Sequence, residues 1–322
     1  MNESNCRKFL LDSELLQITG PDSARFLQGQ LSCDVMQASN THSIQGACCN
    51  IKGRVIADFR LFRQNDIFYL QTQAGLAARL REHLNKFIVF FKADIIQPTS
   101  FQHWGLLGKD WQNLLPTTDI GLPTQDGDTA GTDAFVLMKQ AGGCRLEIFL
   151  FNSGDALPPP WADLPTEESN TRWVLADIEA GIIHVSAAMS EGFTPQQLNY
   201  DLSGVINFKK GCFPGQEIVA RMHYRSKPRK RLSLLSTHDG TPASINKLDA
   251  AYKAGELVIR NTTGQQQGGP ILIAAPWQYG LKLLAEMPIA PAPAKTETEY
   301  NLHSTVDDTL VQKLHIQPLS YP

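Results

Sequence analysis

The spacing of apolar residues changes near residue 226, and this change most limits the folds open to the chain. Before it, GRVIADFRLFR and IFYLQTQ predict two strands, AGLAARLREHLNKF has leucines at helical spacing, and IVFFKADII predicts a third strand. The region from about 51 to 96 therefore predicts the order strand, strand, helix, strand. After residue 226, short strand-like segments such as RLSLLS, ELVIR and ILIAA alternate with turns. We expect an α+β region over residues 1–226 and a small all-β region over 227–322.

The composition predicts a folded protein without a charge bias toward a particular class of partner. The 322 residues are 42% hydrophobic and carry a net charge of −3. A nearly neutral chain gives no general reason to bind nucleic acid or an anionic membrane. The opening segment MNESNCRKFLLDSELLQ has acidic residues among its apolar ones, which does not predict an export signal. We therefore expect a soluble, cytoplasmic protein.

The cysteines do not predict a metal site. No two of them form a C-x-x-C pair, and no Cys/His cluster has the spacing of a zinc site. We expect reduced thiols and neither a metal ion nor an iron–sulfur cluster bound by this chain alone. The six cysteines are Cys6, Cys33, Cys48, Cys49, Cys144 and Cys212.

The segment FKKGCFPGQEIVAR places a thiol, Cys212, between Gly211 and Gly215. Glycine permits positive φ and close backbone approach at both positions. QEIVARMHY predicts a helix, so Cys212 lies just before a helix N-terminus and directly after Lys209 and Lys210. Both features favour the thiolate and hence a nucleophilic or redox-active cysteine. The alternative is a small apolar residue that fills a turn, and the residues alone leave both interpretations open.

A basic run follows the cysteine segment. Such a run can hold the phosphates of RNA or the carboxylates of a polyglutamate tail. It can equally be a solvated junction between two domains, with Pro228 at the break. The run consists of Arg221, His223, Arg225, Lys227, Arg229, Lys230 and Arg231.

A second candidate region is the predicted helix TRWVLADIEAGI. Trp173 and Glu179 lie six positions apart, so they do not share one stripe of that helix and spacing does not make them partners. A tryptophan in this pattern predicts a core residue. Glu179 stands beside an apolar run, where a carboxylate requires a hydrogen-bond donor.

The octapeptide KGCFPGQE resembles the signature K-G-C-[FY]-x-G-Q-E of the YgfZ family. The resemblance extends in family order through ITGPDSARFLQGQLSCDV, KGRVIADFRLFR, LNKFIVFFK, WVLADIEAGI, FTPQQLN and LHIQPLSY, and so covers nearly the whole chain. This octapeptide is far more specific than an isolated glycine-rich loop.

The resemblance implies a folate-binding protein related to the T-protein of the glycine cleavage system, an aminomethyltransferase. It also implies a link to tRNA modification by iron–sulfur enzymes and to the maintenance of their clusters. The implied α+β fold is a T-protein-like ring of three domains around a central folate cavity. Two α+β subdomains are interleaved in sequence, one of them including about 51–96, and a small C-terminal β-barrel completes the ring.

The resemblance also implies roles for individual residues. Cys212 matches the signature cysteine and is expected to carry the chemistry, and Asp58 falls at or near the catalytic aspartate of the T-protein. Trp173 matches a tryptophan associated with folate, and Glu179 falls where a glutamate pairs with the pterin. The residues expected to contact tetrahydrofolate or a derivative are Trp173, Glu179, Lys210, Gln216 and Arg221.

The chain departs from the family pattern at three places. Ser13 stands at about the position of another family tryptophan, so one wall of the folate pocket differs. Asn50 replaces a common aspartate. Pro214 stiffens the cysteine loop but leaves the thiol in place.

Three functions remain open from the sequence. The first is a folate-binding accessory protein that serves iron–sulfur tRNA-modifying enzymes or cluster-assembly proteins, with or without direct tRNA contact. The second is a folate-dependent aminomethyltransferase, an enzyme of one-carbon (aminomethyl or formyl) transfer that requires Asp58 and a lipoyl-carrier partner. The third is a non-catalytic RNA- or protein-binding scaffold that uses the basic run.

Overall fold

The computed structural model divides the chain into two compact units, each described here by itself. Unit 1 comprises residues up to 170 together with 184–195 and 204–221, and unit 2 comprises 171–183, 196–203 and the residues from 222 onward. The predicted boundary between 226 and 227 stays a prediction. The structure describes residues 6–98, 100–109, 111, 120–142, 144–151, 157–226, 228–238, 240–262, 265, 268–289, 299–307 and 309–321.

Unit 1 contains two five-stranded antiparallel sheets. The first has the strand order β3–β4–β5–β2–β6, and the second has the order β1–β7–β10–β9–β8. The strands of the first sheet are β2 (Ser13–Thr19), β3 (Ile44–Cys49), β4 (Val55–Gln64), β5 (Ile67–Gln73) and β6 (Asp94–Ile96). Those of the second are β1 (Arg7–Leu10), β7 (Gln102–Leu107), β8 (Thr129–Gly131), β9 (Phe135–Gln140) and β10 (Arg145–Leu150).

The predicted order strand, strand, helix, strand is confirmed as β4, β5, α2 and β6. Helix α1 spans Ser23–Gln30 and helix α2 spans Ala77–Ile88. Leu80 and Leu84 are fully buried on one face of α2, as their spacing predicts. The third predicted strand is wrong over most of IVFFKADII, because α2 continues through Ile88 and only Asp94–Ile96 pairs with the sheet. The apolar residues of that segment are shared between a helix end, a turn and a strand.

The two sheets of unit 1 pack through one cluster of buried side chains. Phe62 of β4 stacks on Tyr69 of β5 with ring centroids 5.1 Å apart, and Phe149 of β10 lies 5.0 Å from Phe62. Side chains two residues apart on a strand share a face, so Asp58 and Arg60 lie on the same face of β4 as Phe62. The cluster consists of Leu15, Phe62, Tyr69, Val136, Met138 and Phe149.

Unit 2 is built on a six-stranded antiparallel sheet with the order β12–β15–β16–β11–β14–β13. The strands are β11 (Lys230–Ser236), β12 (Leu257–Asn261), β13 (Ile271–Trp277), β14 (Gly280–Pro288), β15 (Tyr300–Ser304) and β16 (Leu310–Gln317). Helix α3 (Thr171–Glu179) packs against β13 and β14. Helix α4 spans Gln216–Tyr224, and its residues up to Arg221 belong to unit 1.

The C-terminal region contains a helix that the sequence did not predict. Helix α5 spans Pro242–Lys253 and packs against β13 and β14, so the expectation of an all-β region is wrong in this respect. Its N-cap is Thr241, whose side chain accepts a hydrogen bond from the backbone N–H of Ser244. Pro242 follows at the first helical position, where its missing N–H is tolerated.

A buried ion pair joins two segments of unit 2. Arg231 at the start of β11 donates two hydrogen bonds to Asp201, from Nη1 to Oδ1 and from Nη2 to Oδ2, each 2.8 Å long. The side chain of Asp201 is only 3% exposed. Such fork-to-fork geometry is the strongest arrangement open to a carboxylate and a guanidinium.

Replacing Asp201 with alanine should destabilise the protein, because it leaves Arg231 partly buried without its counter-charge. We expect a loss of about 2 kcal/mol in the free energy of unfolding, below the full cost for a completely buried pair because Arg231 keeps some contact with water. Urea denaturation would measure it. The control is Asp249→Ala, which breaks a pair with the exposed Lys253 on the same helix and should cost less than about 0.5 kcal/mol. Equal losses in the two variants would contradict the assigned role.

Candidate functional site

Cys212 lies in an exposed segment directly before α4, which begins at Gln216. The predicted position of the thiol before a helix N-terminus is therefore confirmed, and so is its accessibility. Cys144 is the other exposed cysteine among the described residues, whereas Cys48 and Cys49 are buried in β3. Burial raises the pKa of Cys49 to about 12, which keeps that thiol protonated at neutral pH.

Gly215 sets the shape of the cysteine loop. Its φ is +78°, and a Cβ at this position would lie 2.8 Å from the backbone nitrogen of Gly53 and 2.9 Å from its Cα. Both the backbone angle and the lack of space therefore require glycine. The same expectation is wrong for Gly211, which does not have positive φ and would place a Cβ with no heavy atom within 4 Å.

Hydrogen bonds fix the turn between Cys212 and α4. The backbone N–H of Gln216 donates to the carbonyl of Phe213 over 3.1 Å, and the side-chain Oε1 of Gln216 accepts from the N–H of Phe213 over 3.2 Å. The backbone and the side chain of Gln216 therefore both stabilise the turn that leads into α4. Its predicted contact with folate stays a prediction.

The segment that packs against Gly215 is the turn from Asn50 to Arg54. The Asn50 Oδ1 accepts from the backbone N–H groups of Lys52 and Arg54, over 2.9 and 3.1 Å. Its Nδ2 donates to Oε2 of Glu191 over 2.9 Å. An ionised aspartate, common in the family at this position, cannot donate that last bond. Asn50 thus links the turn to a distant segment of unit 1.

Lys210 connects the cysteine loop to α1. Its Nζ donates to the carbonyl oxygens of Gln28 and Leu31, the latter over 2.6 Å, at the C-terminal end of the helix where a positive charge is favourable. Burial lowers the pKa of the Lys210 ammonium, and negative charge on Cys33, Asp34 and Cys212 opposes that shift. Lys210 is therefore close enough to Cys212 for an electrostatic interaction, as predicted.

Asp58 is part of a pair that the sequence did not reveal. It lies in β4 with only 7% of its surface exposed. Its Oδ1 accepts from the backbone N–H of Val185 over 2.6 Å, and its Oδ2 lies 2.7 Å from Nδ1 of His184. His184 lies in an irregular segment after α3, and no spacing rule links it to a strand so far away. Whether Asp58 is catalytic stays a prediction.

A buried histidine lies near this pair. His103 of β7 lies 2.8 Å from the Ser13 hydroxyl through Nδ1 and 3.8 Å from Oε1 of Glu147 through Nε2. Burial, with a smaller contribution from the charge of His184, lowers the pKa of His103 to about 3. His103 is therefore neutral at physiological pH. Ser13 thus binds a core histidine at the position where the family often has tryptophan.

Trp173 and Glu179 lie on α3 in unit 2. Trp173 is 6% exposed, so the prediction of a core position is confirmed. Glu179, the last residue of the helix, forms an ion pair with Lys282, whose Nζ also lies 4.6 Å from the ring centroid of Trp277. The carboxylate thus has the donor that the sequence required. The proposed contacts of Trp173 and Glu179 with a pterin stay predictions.

The basic run does not act as one surface. Arg231 pairs with Asp201, and Lys230 lies 3.3 Å from Glu286. Arg221 is exposed at the end of the run nearest to Cys212. Lys227 lies outside the described residues. Part of the predicted positive charge is therefore neutralised within unit 2.

The described residues form neither a metal site nor a membrane-spanning helix. The described side chains include no group of three or more His, Cys, Asp or Glu residues arranged to hold a metal ion. None of the described helices combines the length and the apolar character needed to cross a membrane.

Comparison with known proteins assigns the chain to a family. No family model matches it. The tRNA-modifying protein YgfZ of Photorhabdus laumondii is 32% identical over 229 residues, which cover 70% of this chain and 69% of that protein. The protein of the same name from Shigella dysenteriae is 30% identical over 315 residues, which cover 96% of this chain and 91% of that protein. The chain belongs to the YgfZ family.

The fold is that of a T-protein. The glycine cleavage system aminomethyltransferase T from Bartonella henselae superposes with a TM-score of 0.72, covering 98% of this chain and 86% of that one. At 17% sequence identity, the likeness concerns the fold alone. The expected relation to the T-protein is therefore confirmed at the level of the fold, which combines helices and sheets.

With limiting iodoacetamide, Cys212 should be alkylated before every other cysteine. Cys144 is the matched control because it is also exposed, but it is followed directly by strand β10 and not by a helix. Alkylation requires an accessible thiolate, and the sequence predicts one at Cys212 from its position before a helix N-terminus and close after two lysines. Peptide mass spectrometry after short labelling times would give both rates. Faster alkylation of Cys144 would refute an activated thiol at Cys212.

Proposed function

We propose that this protein is a folate-binding accessory protein that supports tRNA modification, with Cys212 as its reactive group. The observation that carries the proposal is the exposed thiol on a loop that glycine packing and hydrogen bonds hold rigid. A reactive group held on a fixed support is what group-transfer or redox chemistry requires. Relatives named tRNA-modifying proteins support the process that we assign.

The proposed ligand is tetrahydrofolate or a one-carbon derivative, bound without a covalent bond. We place it in a central cavity of a three-domain ring, whose third domain is a β-barrel formed by the six-stranded sheet of unit 2. A fold shared with a glycine cleavage system aminomethyltransferase supports this arrangement. Glu179 would accept hydrogen bonds from the pterin, with Trp173 as a wall of the pocket, and Arg221 would bind the glutamate tail.

Lys210 and Gln216 would contribute to the site mainly by holding the cysteine loop. The side chains of both residues bind backbone groups of unit 1. The proposed partners are iron–sulfur enzymes of tRNA modification or proteins that assemble their clusters, in the cytoplasm.

A folate-dependent aminomethyltransferase is the second candidate, favoured by the fold. It requires Asp58 to act on the folate, although both carboxylate oxygens of Asp58 already accept hydrogen bonds. A glycine-cleavage assay with a lipoyl-carrier protein distinguishes it from an accessory protein. The scaffold that binds RNA or protein through its basic run is less favoured, because Lys230 and Arg231 are ion-paired.

Replacing Glu179 with glutamine should weaken the binding of 5-formyltetrahydrofolate more than tenfold. The change keeps the shape of the side chain but removes the charge that the pterin N–H groups would bind, and truncating such a pair costs about 2–5 kcal/mol. Isothermal titration calorimetry would give the dissociation constants. Lys282→Met is the control, because it breaks the ion pair of Glu179 yet keeps the carboxylate. An affinity unchanged by Glu179→Gln would remove Glu179 from the site.

Replacing Cys212 with serine should abolish support of tRNA thiolation in cells and leave folding and folate affinity nearly unchanged. Serine keeps the size of the side chain but is a far weaker nucleophile than a thiolate. Mass spectrometry of tRNA nucleosides from a deletion strain that expresses the variant would measure the modification. The control strain expresses Cys144→Ser. Full modification with Cys212→Ser would leave the loop with a structural role only.

A further inference from the structure

Glu191 lies in a backbone conformation that glutamate rarely adopts. Its φ is +62°, in the left-handed region, where a residue other than glycine costs free energy. Asparagine is tolerated there better than most residues. The other two non-glycine residues with positive φ in the described part of the chain are Asn65 and Asn199, so Glu191 is the exception. Such a residue keeps this conformation only where its surroundings fix it.

Backbone hydrogen bonds fix the segment that carries Glu191. Its N–H donates to the carbonyl of Val55 over 2.7 Å, and the N–H of Val55 donates to the carbonyl of Phe193 over 2.9 Å. Val55 is the first residue of β4. The segment 191–193 therefore lies beside the start of β4, where the turn from Asn50 to Arg54 ends.

Two side chains of that turn bind the segment. Asn50 Nδ2 donates to Oε2 of Glu191 over 2.9 Å, and Arg54 Nη1 donates to the carbonyl of Gly192 over 2.8 Å. The Oδ1 of Asn50 accepts backbone N–H bonds within the turn, so its nitrogen is the atom that faces Glu191. One amide therefore stabilises the turn and binds it to the carboxylate.

The turn in this position touches the start of α4. A Cβ on Gly53 would lie 3.2 Å from the Cβ of Ile218, and a Cβ on Gly215 would lie 2.8 Å from the Gly53 nitrogen. Contacts this close transmit a displacement, so a shift of the turn moves the first turn of the helix. Cys212 precedes Gly215 by three residues. The carboxylate of Glu191 is thus connected to the cysteine loop by a direct contact at each step.

We propose that Glu191 is a positioning residue for the Cys212 thiol, acting through Asn50 and the turn that packs against Gly215. The inference rests on the reactive role proposed for Cys212 above, and it adds a residue that the sequence did not single out. Glu191 acts through hydrogen bonds alone, so no proton is transferred and no covalent bond changes. One side chain of the pair must donate, because two ionised carboxylates can only accept. The aspartate common in the family at position 50 therefore requires a donor at position 191.

An exchange of groups between the two positions tests the inference. Asn50→Asp should lower the alkylation rate of Cys212 relative to Cys144 at least about threefold, because two facing carboxylates displace the turn and the start of α4. A thiolate loses stabilisation when a helix N-terminus moves away from it. Glu191→Gln should leave the ratio unchanged, since an amide oxygen still accepts from Asn50. The double variant Asn50→Asp/Glu191→Gln should restore the ratio, since the glutamine amide donates to the aspartate. Peptide mass spectrometry after labelling of the full chain with limiting iodoacetamide gives each ratio.

An effect of charge alone would give a different pattern. Asn50→Asp adds a negative charge and Glu191→Gln removes one, so a purely electrostatic effect would shift the ratio in opposite directions in the two single variants. The matched control is Asn65→Asp, at the other end of β4, where Nδ2 of Asn65 donates to Oδ1 of Asp133 over 3.0 Å. This variant removes the same kind of bond by the same substitution and should leave the ratio unchanged.

The outcomes separate this inference from the proposed function. If urea denaturation shows that Asn50→Asp does not fold, Glu191→Ala removes the same bond with the opposite change of charge, and the same fall in the ratio is expected. An unchanged ratio in Asn50→Asp, opposite shifts in the two single variants, or a double variant as slow as Asn50→Asp overturns the role of Glu191 and leaves the proposed function standing. An equal fall in Asn65→Asp has the same consequence. Full tRNA modification with Cys212→Ser counts instead against the reactive cysteine of the proposed function.

Discussion

The contact between Gly215 and the turn from Asn50 to Arg54 is the constraint on which the position of Cys212 depends. Backbone meets backbone there, with no room for a side chain. A side chain at 215 would push the start of α4 away from the turn and carry the thiol with it. The side-chain amide of Asn50 donates a hydrogen bond to Glu191, which binds this turn to a third segment. Three segments that are distant in sequence are therefore held together at the cysteine loop.

Buried carboxylates tie the irregular segments of each unit to its sheets. Asp58 holds the 184–185 segment to β4 in unit 1. Asp201 anchors Arg231 at the start of β11 in unit 2. A charge in the interior is tolerated only when its oxygens are satisfied. In both places the carboxylate and its partner join a strand to a segment without regular structure, which defines the position of that segment.

The chemistry of the cysteine loop depends on residues that also have structural bonds. Lys210 binds the carbonyl groups at the end of α1 and is near enough to Cys212 to interact with its charge. One ammonium thus binds a helix end and interacts electrostatically with the cysteine segment. Gln216 also forms a structural hydrogen bond, because its side chain closes the turn beside the thiol. Changes at these two positions would therefore affect fold and reactivity together, whereas Cys212→Ser isolates the chemistry.

The sequence by itself determined the features that depend on neighbours along the chain. The order β4, β5, α2, β6 follows from hydrophobic periods of two and 3.6 residues, and α4 after Cys212 follows from local helix signals. The sequence pattern gave a wrong prediction in IVFFKADII, where one apolar run contributes to a helix end, a turn and a strand. It also did not predict helix α5, which lies within a strand-rich region. Only the tertiary structure decided that Gly215, and not Gly211, must be glycine, and that Asp58 meets His184 across 126 positions of the chain. A period along the chain records which face of an element is buried, but it does not record which distant group that face meets.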